Sequence, residues 1–134
     1  MPEDCIFCKI VAGELPAEVV DQDDHTVSFM DINPWTRGHA LVIPRNHSRN
    51  LLEIDEDDLA HVLAAAKRLA VRMPEPLGCD GINLLNSAET AAWQTVFHFH
   101  VHVIPRYEDD PLRLPGAPQQ VNQDELHAVA EELR

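Results

Sequence analysis

The sequence predicts an α+β fold, a five-stranded and mostly antiparallel sheet carrying one long helix and short flanking helices. Three observations support it. Five short β-favouring runs are joined by links of hairpin length. A single stretch, Leu59 to Leu69, keeps apolar residues at spacings of three and four over eleven positions. The chain's 134 residues, 45% of them hydrophobic, suffice for one core and leave little room for a second.

The elements follow in order. Cys5-Ile6-Phe7-Cys8-Lys9-Ile10-Val11 opens with one or two helical turns, closed off by Gly13 and Pro16. Residues 18–21 and 26–30 pair as a hairpin across the acidic turn Gln22-Asp23-Asp24-His25. Pro34 and Gly38 mark a loop, and 39–43 is a third strand ended by Pro44. Asp55 to Asp58 place acid before Leu59, Val62, Leu63, Ala66 and Leu69, which predicts a helix over 56–73, stopped by Pro74 and Pro76. Residues 81–86 and 96–104 read as the last two strands, the latter ended by Pro105. From 108 to 120 the chain is acidic and then rich in Pro and Gln, an exposed arm, and 124–133 closes with a short helix. Residues 1–107 therefore form the domain and 108–134 a tail.

Ten basic residues against 23 acidic ones leave a net charge of −13, the wrong sign for a nucleic acid polymer or an anionic membrane as partner. No apolar run approaches bilayer length, and the first residues lack a signal peptide's basic start, so a cytoplasmic location is expected. Three cysteines are a poor disulfide framework. Cys5-x-x-Cys8 taken alone fits a metal site, a redox pair or two thiols packed in an apolar turn.

The most informative segment is Thr95-Val96-Phe97-His98-Phe99-His100-Val101-His102-Val103-Ile104. In a helix His100 would point away from His98 and His102; in a strand, period two puts all three on one face and Phe97, Phe99, Val101 and Val103 on the other. The aromatic and β-branched neighbours favour the strand. Three imidazoles in strict alternation suit a nucleophile, an acid or base, or metal ligands, since their proton affinity lies near neutral pH.

That segment resembles the motif of the histidine-triad (HIT) family. The likeness extends through Gln94-Thr95, Asp31-Ile32-Asn33-Pro34, Gly38-His39 and the opening Cys5 to Ile10, so it covers about 4–107, nearer the Hint branch than the Fhit branch. It implies a HIT-like fold and attack by His100 on the α-phosphorus of a nucleotide, giving a nucleotidyl-histidine that water releases. It further implies that His102 contacts phosphate and assists the leaving group, and that His39 supports both. By the same likeness Asn86, Gln94 and Thr95 bind phosphate oxygens, Asp31 holds ribose hydroxyls, and Phe7, Phe29 and Ile32 wall the base. The implied substrate is a purine nucleoside phosphoramidate or related nucleotide. Bacterial members with Cys-x-x-Cys add His47 and His98 to Cys5 and Cys8 as a structural zinc set. A homodimer is expected through residues 57–73 and the edge of 81–86.

Two other readings stay open: a zinc hydrolase with a catalytic metal on His98, His100 and His39, and a nucleotide-binding interaction protein of low turnover. One departure stands out. Where the family carries Asn-x-Gly followed by Ala-Gly-Gln, this chain runs from Asn86 to Gln94 with one more residue and no glycine, and Trp93 occupies a usual glycine position. Cys79, His25, His61 and His127 read as incidental.

Overall fold

The structure is a computed structural model describing residues 3–113 and 116–134. Among these are five strands, β1 (Val19–Gln22), β2 (Thr26–Met30), β3 (Ala40–Pro44), β4 (Gly81–Leu85) and β5 (Val101–Arg106). They form one sheet in the order β1-β2-β3-β5-β4, and every pairing is antiparallel. Four α-helices accompany it: α1 (Ile6–Val11), the long α2 (Glu56–Arg72), α3 (Pro74–Leu77) and α4 (Gln123–Leu133).

Alternation in the central strands sorts the core into two layers. Ala40 and Val42 of β3, with Phe99, Val101 and Val103, pack on Val62, Ala65, Ala66 and Leu69 of α2. Leu41 and Ile43 face the other way and meet Val27, Phe29, Phe7 and both cysteines of α1 and its cap. The sheet thus separates the long helix from the surface on which the histidines are assembled.

The structure corrects the expected elements in four places. The fifth strand begins at Val101 rather than at Val96. The Phe99 N–H donates to the Ser48 carbonyl at 2.7 Å, so the segment before Val101 is bound to the loop after β3 instead of the ladder. Phe97 lies outside the core and carries the Arg49 guanidinium 4.3 Å above its ring. Pro74 does not simply end the long helix: it occupies the first turn of α3, where its missing N–H leaves no bond unmade, and Gly78 closes that helix in the left-handed region. His25 and His61 are also more than separate surface side chains, for their rings stack 3.7 Å apart.

Candidate functional site

Four of the expected ligands converge. Cys5 caps α1 and Cys8 lies one turn on, while His47 comes from the loop after β3 and His98 from the segment before β5. The His98 Nδ1 is 3.5 Å from the Sγ of Cys5 and of Cys8, Cys8 Sγ is 3.3 Å from His47 Nδ1, and the two imidazole nitrogens are 3.2 Å apart. Ligand atoms around a tetrahedral zinc are separated by about 3.3–3.8 Å, given Zn–S near 2.3 Å and Zn–N near 2.0–2.1 Å, so the donor set and its spacing suit zinc. The second shell agrees. His98 Nε2–H donates to the Pro44 carbonyl at 2.9 Å, which turns the Nδ1 lone pair toward the thiols. Burial, followed by the neighbouring Cys5, pushes the Cys8 thiol up to about 11; it needs a cation to become a thiolate at neutral pH.

Two residues on, the backbone fixes a second arrangement. His100 Nδ1–H donates to the His98 carbonyl at 2.8 Å, leaving the Nε2 lone pair free of any protein partner among the described residues. The Trp35 N–H donates to His39 Nδ1 at 3.0 Å, so the His39 proton sits on Nε2 and is given to His102 Nδ1 at 2.8 Å. By this network the His102 proton resides on Nε2. Asp31 Oδ2 lies 3.5 Å from His39 Nε2, and the His100 and His102 rings are 5.1 Å apart. Three structural features deliver these groups: His39 immediately precedes β3, His102 lies opposite Leu41 in the β3–β5 ladder, and Gly38 allows the approach. At Gly38, with φ +93°, a Cβ would come within 2.5 Å of Leu77 Cδ1.

Burial governs the charge state. It lowers the pKa of His39 and His100 from the ordinary histidine value, against the pull of Asp31. Burial, together with the neighbouring His100 and His39, takes His102 down to about 4. All three imidazoles are therefore neutral at pH 7, and the free nitrogen of His100 is a competent nucleophile.

The structure assembles part of the expected binding set. The Phe7 ring meets His100 edge-on at 5.2 Å and Phe29 at 5.5 Å, so these aromatics back His100. Ile32 stands 91% exposed beside Asp31. Asn86 donates its side-chain amide to the His100 carbonyl at 2.8 Å, which fixes the backbone at His100. Gln94 is buried and its amide is fully engaged: it accepts from Glu89 N–H and Asn50, and donates to the Arg49 and Val96 carbonyls. It has no hydrogen-bonding position left for a phosphate. Thr95 lines a cavity of about 420 Å³ with Asp4, Cys5, His47, Arg49 and Phe97, beside the cysteines rather than the His100–His102 pair. His98, His100 and His39 do not converge as three ligands among the described residues, because both ring nitrogens of His98 are already committed.

The model of the HIT domain matches residues 12–109 of this sequence. The chain belongs to the HIT family. An uncharacterised HIT-like protein of Methanocaldococcus jannaschii is 45% identical over 106 residues, 79% of this chain and 81% of that one. Among solved structures, SMU.412c from Streptococcus mutans superposes with a TM-score of 0.95 at 38% identity, over 99% of this chain and 85% of the other. A histidine triad nucleotide-binding protein from Candida albicans gives 0.86 at 32%, covering 97% and 94%. A zinc-bound histidine triad family protein from Mycobacterium smegmatis gives 0.79 at 36%, covering 97% and 95%. The Cys5, Cys8, His47 and His98 cluster is thus a place for zinc in a HIT fold of which a zinc-bound example is known.

The glycine-free loop from Asn86 to Gln94 now has a physical description. Glu89 and Trp93 both take φ +76°, a region that side chains disfavour. Arg49 holds the loop in place with two bonds to the Glu89 carboxylate at 2.8 and 2.9 Å, and Asn50 adds a third. These partners hold the Glu89 carboxyl down at about 2. A clamp of side chains holds Glu89 and Trp93 in their unfavourable backbone conformation. Sequence reasoning missed Arg49, Asn50 and Glu89, since nothing in their spacing announces a contact across 40 positions. It also missed Trp35, four residues before His39, whose indole stacks on His102.

Proposed function

We propose that this HIT protein is a nucleotidyl hydrolase or transferase acting at the α-phosphorus of a nucleoside phosphoramidate, purine by preference, or a related nucleotide. One observation carries the reading: the proton on His100 Nδ1 is given to a backbone carbonyl, so a neutral ring offers its Nε2 lone pair beside a second imidazole that presents an N–H. A neutral nitrogen approaches an anionic phosphate ester without the repulsion an oxyanion would meet.

The His100 Nε2 pair forms a bond to phosphorus while the bond from phosphorus to the leaving nitrogen breaks. The phosphate's negative charge favours a protonated His102, which gives its Nε2 proton to the leaving amine. Asp31 Oδ2 offers the His39 Nε2–H a second acceptor while His102 is charged. Water then adds to phosphorus, its proton passes to His102, and the pair in the P–Nε2 bond returns to His100 with release of the nucleoside monophosphate. Asp31 also receives the ribose hydroxyls, and Phe7, Phe29 and Ile32 form the apolar side toward the base. Asn86 and Gln94 act as positioning residues, through the His100 carbonyl and the clamped loop respectively, and Thr95, whose hydroxyl has no hydrogen-bond partner among the described residues, is left for a polar ligand group. Zinc on Cys5, Cys8, His47 and His98 supplies a structural cross-link.

The active form in this reading is a homodimer in the cytoplasm, where unpaired cysteines stay reduced. Leu63 and Val71 of α2 and Leu84 of the edge strand β4 expose 46%, 69% and 50% of their surface and supply the apolar area for pairing. The test is acid quench during turnover of adenosine and guanosine phosphoramidates, with mass analysis of the peptide that contains His100. A nucleoside monophosphate adduct on His100, together with loss of several orders of magnitude in turnover for His100→Ala, is expected. The reading fails if no adduct is trapped and His100→Ala keeps more than about a tenth of wild-type turnover.

A further inference from the structure

Trp35 sits in the loop between β2 and β3, and it touches both members of the His39–His102 pair in different ways. Its backbone N–H sets the His39 tautomer, a task any residue but proline would perform. Its side chain does something separate. The indole lies almost parallel to the His102 ring, 15° off at a centroid distance of 5.1 Å, and is tilted over His39 at 4.9 Å. His39 is fully buried while Trp35 itself is 45% exposed, so the indole lies between the imidazole pair and solvent.

The arrangement beneath this roof depends on its staying dry. In the free protein His102 Nδ1 accepts from His39 Nε2–H at 2.8 Å and so carries no proton; once bound phosphate charges His102, Asp31 Oδ2 at 3.5 Å is the other acceptor within reach of that N–H. The ionisable groups facing His102 are Asp31, His39 and His100. Asp31 favours the charged ring and the two histidines disfavour it. Water at the exposed face of His102 would tip that balance toward the imidazolium and turn the His102 proton outward to solvent.

We propose that the Trp35 indole is a positioning residue for leaving-group protonation, a roof that keeps water off His102 and holds its Nε2–H aimed into the site. The catalytic part of this inference rests on the function proposed above; the roof itself does not. Ring-nitrogen NMR titration of the free protein measures it without substrate. In Trp35→Ala the His102 midpoint should rise by about one pH unit or more toward the ordinary histidine value, with the midpoint close to wild type in Trp35→Phe. A midpoint in Trp35→Ala that is unchanged or lower, in protein whose circular dichroism matches wild type, overturns the proposal.

Turnover provides the second reading. Phosphoramidates of basic alkyl amines, which need the proton most, should lose about tenfold or more in kcat in Trp35→Ala. Esters of acidic phenols should lose less than about twofold, and KM should barely change. Equal losses for both leaving groups would make Trp35 a packing residue and sink the inference. If the His102 midpoint moves but wild-type protein turns over neither class of substrate, the roof stands and the proposed function is what has failed.

Discussion

Loss of the metal from the Cys5, Cys8, His47 and His98 cluster should destabilise the fold by an amount that the chain separations set. Cys8 and His47 are 39 residues apart and His47 and His98 are 51 apart, so one ion closes two loops. Closing a loop of about 40 residues removes roughly 4 kcal/mol of unfolded-state freedom in the chain-entropy account, and the second loop removes a similar amount. Even one such term is a large part of the 5–15 kcal/mol that holds a typical domain together. Cys8→Ser should therefore release zinc and, counting one loop alone, lower Tm by at least about 10–15 °C. The assay pairs metal analysis of tag-free protein with calorimetry on wild type, Cys8→Ser, and each after chelation. Chelated wild type should fall to the Tm of Cys8→Ser, and chelator should leave that variant unmoved. Freshly purified wild type without zinc, or a Cys8→Ser Tm within about 2 °C of wild type, would refute the reasoning.

Three further outcomes are expected. Because burial lowers the pKa of His39, His100 and His102 on folding, the unfolded chain binds more protons between about pH 6.5 and 4; stability present above pH 6.5 should be lost as pH falls through that window, read as a falling urea midpoint at constant m. A midpoint that stays flat from pH 7 to 4.5 would contradict this. The Ser28 hydroxyl is buried with no partner among the described residues, so Ser28→Ala should raise stability by about 1 kcal/mol in urea unfolding, and a loss of similar size would show that the hydroxyl is bonded after all. Light scattering at micromolar concentration should give twice the chain mass, and a monomer would remove the pairing through α2 and β4.

The sequence carried the periodic parts of this architecture well. A continuous apolar run between Gly38 and Pro44 marked β3, alternation marked the second half of the histidine segment, and the three-and-four spacing from Leu59 to Leu69 marked α2, because burial leaves a regular trace. The start of β5 was not legible: whether Phe99 pairs with the ladder or with the Ser48 carbonyl depends on where the loop after β3 passes. The same holds for Gln94. The family resemblance implied a phosphate contact for it, whereas the structure uses all four hydrogen-bonding positions of its amide to close a loop that lacks glycine. The position of Trp35 near His39 could be read from the chain, but the stacking of its side chain on His102 could not, since it depends on a rotamer and on the return of β5 alongside β3.

The peptide group between His98 and Phe99 connects the metal cluster to the reaction centre. Its carbonyl belongs to a residue whose ring faces the two thiols, and the same oxygen decides which nitrogen of His100 is left bare. At the far end His102 is pinned by His39. The five residues from 98 to 102 therefore work as a ruler with both ends nailed down. Phe99 and Val101 turn toward α2 and can trade bulk with Val62 or Leu69, but the segment cannot gain or lose a residue. An insertion or deletion there would reverse the facing of every side chain beyond it. Even one that left the sheet intact and the zinc bound would aim the wrong atom of His100 into the site.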